Sequence, residues 1–224
     1  MLLVVDTSTA QVGLALYDGV QVFAEMAWHS RQHHTVELAP ALAELLSRTG
    51  IKMTNVQALG VAIGPGSFTS LRVGLSFIKG ISLVRRLPVI GIPTLDVLAA
   101  AQPVSKLPMA AVLQAGRGRL ALSMYQAKSG EWKSDGEVKV TNVDELADKI
   151  EHPTIVAGEL TSEERQRLAR KKVNVHLAAP SACVRRPAIL AELAFARWQA
   201  GQVDEAASLA PIYLHVGEVI PDGK

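Results

Sequence analysis

The chain of 224 residues contains one cysteine, Cys183. A lone thiol cannot close an internal disulfide, which excludes a disulfide-stapled fold and suits a reducing compartment. Aromatic residues are scarce at 4%, so a row of stacking platforms for single-stranded nucleic acid is not expected. Neither sign of charge dominates: 23 basic against 21 acidic side chains leave a net charge of +2. That is too small to neutralise a stretch of phosphate backbone. No apolar run approaches the roughly 20 residues that cross a bilayer. The opening Met1-Leu2-Leu3-Val4-Val5-Asp6 lacks the basic region of a signal peptide and meets an acid early. These absences lead to the expectation of a soluble cytoplasmic protein with no membrane partner.

What is present is enough apolar material for a core, with 49% hydrophobic and 20% charged residues. Apolar patterning predicts strands over 2–6, 11–17 and about 20–28, with Asp18-Gly19 as a hairpin signal. A helix follows over 35–49, with Leu38, Leu42 and Leu45 on one face and Gly50 as its stop; Pro40 is expected to kink or delay its first turn. Next come a strand over 58–63, a helix over 67–85, a strand over 88–92 and a short helix over 95–101 capped by Thr94. The second half runs through the same order. Strands fit 109–114, 120–126 and 137–141, a helix fits 143–151 and a strand 154–157. The capping box Thr161-Ser162-Glu163-Glu164 opens a helix to Lys172, a strand fits 173–177, and a last helix runs from Pro187 to Gly201. The aperiodic, turn-rich stretch 102–108 divides the chain into halves 1–104 and 105–224.

This α/β chain with a duplicated βββαβαβα order resembles the actin-like plan (ASKHA, ribonuclease H-like) of sugar kinases and heat-shock ATPases. The resemblance implies a nucleotide cleft between the halves, with phosphates against the first turn of each. The first turn here is Asp6-Thr7-Ser8-Thr9. Its amides and hydroxyls suit phosphate oxygens and its carboxylate suits hydrated magnesium. Equally, such a turn can satisfy its own backbone. The second turn, Gln114-Ala115-Gly116-Arg117-Gly118, has no carboxylate. ATP hydrolysis on this plan takes acids from both halves, so Asp6, Thr7, Ser8 and Thr9 are read as a vestigial ATP or ADP turn, and no cofactor is required.

Gly64-Pro65-Gly66-Ser67 joins a strand to a helix, a setting that favours an anion. It misses the third glycine of the dinucleotide fingerprint, and Gly74 and Lys79-Gly80 lack the spacing of a P-loop. Pro65 and Thr69 break the frame of a hydrolase elbow around Ser67. A tight turn with Ser67 as helix cap accounts for these residues. The helix beyond is apolar over most of its circumference. Leu71, Leu75 and Ile78 form one stripe, Gly74, Phe77 and Ile81 a second, and Arg72, Ser76, Lys79 and Arg86 a polar one. Such a helix needs neighbours on two sides: its own sheet, and either another helix of the chain or another protein. Gly74 and Gly80 would permit a close approach of helix to helix.

Ile63-Gly64-Pro65-Gly66-Ser67-Phe68-Thr69, with Leu71-Arg72-Val73-Gly74 and Lys79-Gly80, resembles the TsaB (YeaZ) family. Asp6-Thr7-Ser8-Thr9, His33-His34 ahead of Leu38-Ala39-Pro40, and Pro211-Ile212-Tyr213-Leu214 fit as well. The resemblance implies a non-catalytic cytoplasmic scaffold for the threonylcarbamoyl modification of adenosine 37 in tRNA. It implies a TsaD-like transferase as partner and a TsaE-like ATPase that joins the pair. The tRNA is reached only through that complex. Ser70, Gln114 and His215 stand where the family usually has glycine, aspartate and arginine. The catalytic relative's His-x-x-x-His has its matching place at Thr94-Leu95-Asp96-Val97-Leu98, without histidine, so no metal site is expected. His29 and His33 have the spacing but lie in the wrong element and make only two ligands. Cys183 and His176 suggest no nucleophile–base pair, and no catalytic residue is assigned.

Basic side chains crowd Arg165, Arg167, Arg170, Lys171 and Lys172, and Arg185-Arg186 precede Pro187; each cluster is read as solvated. Leu42, Leu45, Leu71, Leu75 and Ile78 are expected to anchor a four-helix contact with the partner, and spacing leaves open which stripe faces the home sheet. The same surface is expected to form a homodimer when the partner is absent. The competing reading is an ATPase or small-molecule kinase that uses Asp6 and the cleft.

Overall fold

The computed structural model describes residues 1–31, 33–171 and 173–214. Lys172 and His215, named above, lie outside the described residues. The first sheet comprises β1 (Leu2–Asp6), β2 (Gln11–Tyr17), β3 (Val22–His29), β4 (Ala58–Ala62) and β5 (Val89–Ile92), in the order β3-β2-β1-β4-β5. β1, with the sequence LLVVD, is buried along its whole length because it sits mid-sheet with helices on both faces. It pairs antiparallel with β2, Asp6 opposite Gly13, and parallel with β4, Leu2 opposite Ala58.

The second sheet repeats the plan with β6 (Met109–Gln114), β7 (Leu120–Lys128), β8 (Glu131–Ser134), β9 (Lys139–Thr141), β10 (Thr154–Gly158) and β11 (Val175–Leu177). Its order is β11-β10-β6-β7-β8, and β9 also pairs with β7. The single third strand expected over 137–141 is therefore two pieces on one neighbour. Ser129 and Gly130 both take left-handed backbone, φ 52° and 81°, and close a two-residue hairpin into β8. The chain then leaves and returns as β9 against the start of β7.

Among the described residues six α-helices cover the sheets: α1 (His34–Thr49), α2 (Phe68–Arg85), α3 (Thr94–Ala100), α4 (Val143–Lys149), α5 (Ser162–Ala169) and α6 (Pro187–Gln199). Pro40 neither delays nor ends α1; it lies inside the helix on the exposed side. Thr94 is not a cap. Pro93 holds the N-cap position and Thr94 is the first residue of α3.

α1 and α2 cover one face of the first sheet, and α4 and α5 one face of the second. The remaining helices are exchanged. α6, from the second half of the chain, packs Leu190, Ala191 and Ala194 on the first sheet. α3, from the first half, packs Leu95, Leu98 and Ala99 on the second. Each sheet is drawn from one stretch of the chain, β1–β5 and β6–β11, while these two helices cross between them.

The expected partner anchors do not face outward. Leu42, Leu45, Leu71, Leu75 and Ile78 are all buried in the chain's own interior, none more than 7% exposed. Leu75 and Ile78 face home because the inner strands β1 and β4 present Leu3, Val5, Leu59 and Val61 to them and need apolar cover, and Leu71 is buried beside Gly64. The outward stripe of α2 is Val73, Phe77, Gly80 and Val84, running from half-buried to 81% exposed at Val84.

The cleft between the halves as candidate functional site

The loop after β1 is placed where the two sheets meet, and each of its polar side chains has an internal partner. Asp6 Oδ1 accepts the Ser8 amide at 2.8 Å, an Asx turn, and Oδ2 accepts Arg185 Nε at 2.8 Å. The Thr7 hydroxyl donates to the Ser70 carbonyl at 2.7 Å. Ser8 Oγ and Thr94 Oγ1 lie 2.7 Å apart, and Thr94 Oγ1 accepts the Gly64 amide at 3.0 Å. Thr9 Oγ1 donates to Glu159 Oε1 at 2.7 Å, just past the end of β10. Sequence reasoning brought residues 6 to 9 together as ligand donors. The structure brings them together as a knot between the sheets and α2.

Beside this knot lies a cavity of about 1080 Å³, lined by Thr9, Gln11, Trp28, His34, Gln114 and Thr161 among others. His34 Nε2 lies 3.0 Å from the Thr9 carbonyl. A carbonyl can only accept, so that nitrogen carries the proton. In the second turn, the Gln114 amide donates to Glu164 Oε2 at 2.7 Å and to the Glu159 carbonyl at 3.1 Å. Burial works against the charge of Arg185, but Asp6 and Glu159 outweigh it and hold the guanidinium more firmly protonated than usual.

The actin-like plan implies a magnesium–nucleotide here, and the donor set does not fit one. Both oxygens of Asp6 are engaged, a guanidinium supplies the positive charge beside them, and the second turn adds no free carboxylate. Among the described residues no three His, Cys, Asp or Glu side chains gather to hold a metal ion. His29 ends β3 and His33 precedes α1, both exposed. Cys183 is buried and its sulfur accepts the Gly158 amide at 3.3 Å, while His176 is exposed on β11.

The family model described as TsaD, tRNA N6-adenosine threonylcarbamoyltransferase, matches residues 22–205. The tRNA threonylcarbamoyladenosine biosynthesis protein TsaB of Bacillus subtilis is 27% identical over 168 residues, 74% of this chain and 73% of that one. TsaB of Escherichia coli is 31% identical over 137 residues, 60% and 59% of the two chains. The solved structure of YeaZ from Pseudomonas aeruginosa superposes with a TM-score of 0.78 at 25% identity, covering 95% of this chain and 99% of that one. The chain belongs to this family, on its TsaB (YeaZ) branch. The fold is that of YeaZ, with the plan of the first sheet repeated in the second.

For a TsaB-family chain the basic clusters are largely neutralised at home. Arg167 pairs with Asp144, Lys171 with Asp148 at 3.1 Å and Arg186 with Glu25 at 2.5 Å, while Arg165 donates to the Ala178 carbonyl. Arg185, read from sequence as a solvated neighbour of Arg186, is 1% exposed. Sequence reasoning missed Arg185, Glu159 and Thr94 as members of the cleft. Glu159 had one available signal, a carboxylate directly after a buried strand end. Arg185 had none, since its partners lie far away in the chain.

Proposed function

We propose that the chain is a non-catalytic subunit of tRNA N6-threonylcarbamoyladenosine biosynthesis that binds and activates a TsaD-like transferase. It works in the cytoplasm, requires no cofactor of its own, is joined in the complex by a TsaE-like ATPase and meets tRNA only there. One observation carries the reading. The polar groups of the first turn are spent on internal bonds, while an apolar face over α1 and α2 is left open. That face comprises Val73, Phe77, Gly80 and Val84 of α2 with Val36, Ala39 and Ala43 of α1. A groove between the helices, flanked by Leu38, Val73 and Phe77, runs along it. Gly80 has open space beyond its α-carbon, which allows another backbone to approach. A family model named for the transferase spans most of this chain, which supports a partner of the same plan offering an equivalent helix pair. The same face supports a two-fold homodimer when the partner is absent.

Coexpression with a TsaD-like transferase tests the proposal. A stoichiometric complex, with modification activity that neither protein shows alone, is expected. Magnesium-dependent ATP turnover by the purified chain, abolished by Asp6→Ala, would instead establish the ATPase reading.

A further inference from the structure

We propose that Arg185 locks the two halves of the chain at one fixed closure, its guanidinium standing where the actin-like plan puts a metal-bound nucleotide. Nε of Arg185 donates to Asp6 Oδ2 at 2.8 Å, Nη1 to Glu159 Oε1, and Nη2 to Thr9 Oγ1 at 2.9 Å and to the Gln11 carbonyl at 3.0 Å. Asp6, Thr9 and Gln11 belong to the first sheet and its turn, while Glu159 follows β10 of the second. Arg185 itself lies on the link from the second sheet to α6, which covers the first. The backbone adds a clasp. Gln11 Oε1 accepts the Arg185 amide at 3.4 Å and Gln11 Nε2 donates to the Arg185 carbonyl at 3.5 Å.

A buried charge is tolerated only when paired, and here one cation is shared by two acids from opposite sides of the cleft. Without it, Asp6 and Glu159 would be left as like charges across the interface, and the halves would be driven apart. A closure held by a bound ligand opens when the ligand leaves, because only the ligand's differential affinity favours it. A closure held by a side chain does not. The two halves of this chain are therefore held at the same closure with or without nucleotide.

Hydrogen exchange and thermal unfolding of the full chain test this. In the wild-type protein, millimolar magnesium-ATP is expected to leave exchange unchanged at residues 6–11 and 156–160; nucleotide-dependent protection there would overturn the proposal. Arg185→Ala is expected to lower Tm by roughly 10 °C and to speed exchange in both segments. Added guanidinium at low millimolar concentration should restore part of the loss in the variant and nothing in the wild type. Should Arg185→Ala fail to fold, the neutral combination Asp6→Asn, Glu159→Gln, Arg185→Met removes all three charges together and is expected to fold. Its exchange at residues 6–11 should rise about tenfold, equivalent to about 1.4 kcal/mol of opening. Unchanged exchange in a folded variant of either kind would show that the halves are held by other contacts.

Discussion

Gly74 of α2 and Thr7 of the first turn meet so closely that a Cβ at position 74 would lie 2.3 Å from Thr7 Oγ1. The glycine that spacing offered as a helix-to-helix contact is instead where α2 docks on the turn after β1. The Thr7 hydroxyl cannot simply swing away, because it donates to the Ser70 carbonyl one turn earlier on the same helix. Gly74→Ala should therefore cost about 2 kcal/mol or more, by overpacking and by loss of that bond. Thr7→Ala alone should cost about 1 kcal/mol. The double variant should lose less than the sum, a coupling that urea unfolding of the four proteins would measure.

Thr94 ties three segments through one hydroxyl, which accepts the Gly64 amide and meets Ser8 Oγ. Thr94→Val keeps the shape but strands a buried donor, so a loss of about 2 kcal/mol is expected. Thr94→Ser keeps both bonds and should stay close to wild type. Equal losses in the two variants would mean that packing of the methyl group matters more than the hydroxyl.

The open face of α2 separates folding from binding. Gly80→Glu and Val84→Glu place a charge on exposed positions and should change stability by no more than about 0.5 kcal/mol. Each should weaken the partner complex by about a hundredfold or more, since 1.4 kcal/mol is a factor of ten and a buried unpaired charge costs several kcal/mol. Leu75→Glu, on the inward stripe, should unfold the chain. Sedimentation should show a homodimer at high concentration, weakened by the same two surface variants; tight partner binding by both would move the interface elsewhere.

Asp96 of α3 carries a pH dependence. Burial raises its pKa above the ordinary 3.8, and the Tyr125 hydroxyl donating at 2.7 Å and the Lys133 charge only partly offset this. The folded chain thus keeps a proton that the unfolded chain has released. The resulting stabilisation is complete below 3.8 and is lost as pH rises through the raised folded value. Asp96→Asn should remove this slope, so the variant gains on the wild type as pH rises from about 4. Tyr125→Phe should push the Asp96 midpoint higher still, which a carboxyl NMR titration would show.

Much of the fold was legible because it is written in local periods and caps. The order of strands and helices, the stop of α1 at Gly50 in left-handed backbone, and the capping box from Thr161 to Glu164 all follow from residues within a few positions of one another. So did the family, through the run from Ile63 to Gly80. The hairpin at Ser129-Gly130 was also a local signal, but the four-residue β8 was too short to show a period.

Spacing along the chain dictates which residues share a face, and packing dictates what each face meets. Helical spacing grouped Leu71, Leu75 and Ile78, but two apolar stripes on one helix are equivalent until a sheet covers one of them. The exchange of α3 and α6 has the same origin, since a helix pattern does not record which sheet lies within reach. Arg185 and Asp6 stand 179 positions apart. Nothing local distinguishes Arg185 from its solvated neighbour Arg186. Only the meeting of the two sheets removes water from one guanidinium and surrounds it with acids, and that loss of solvent makes the pairing obligatory.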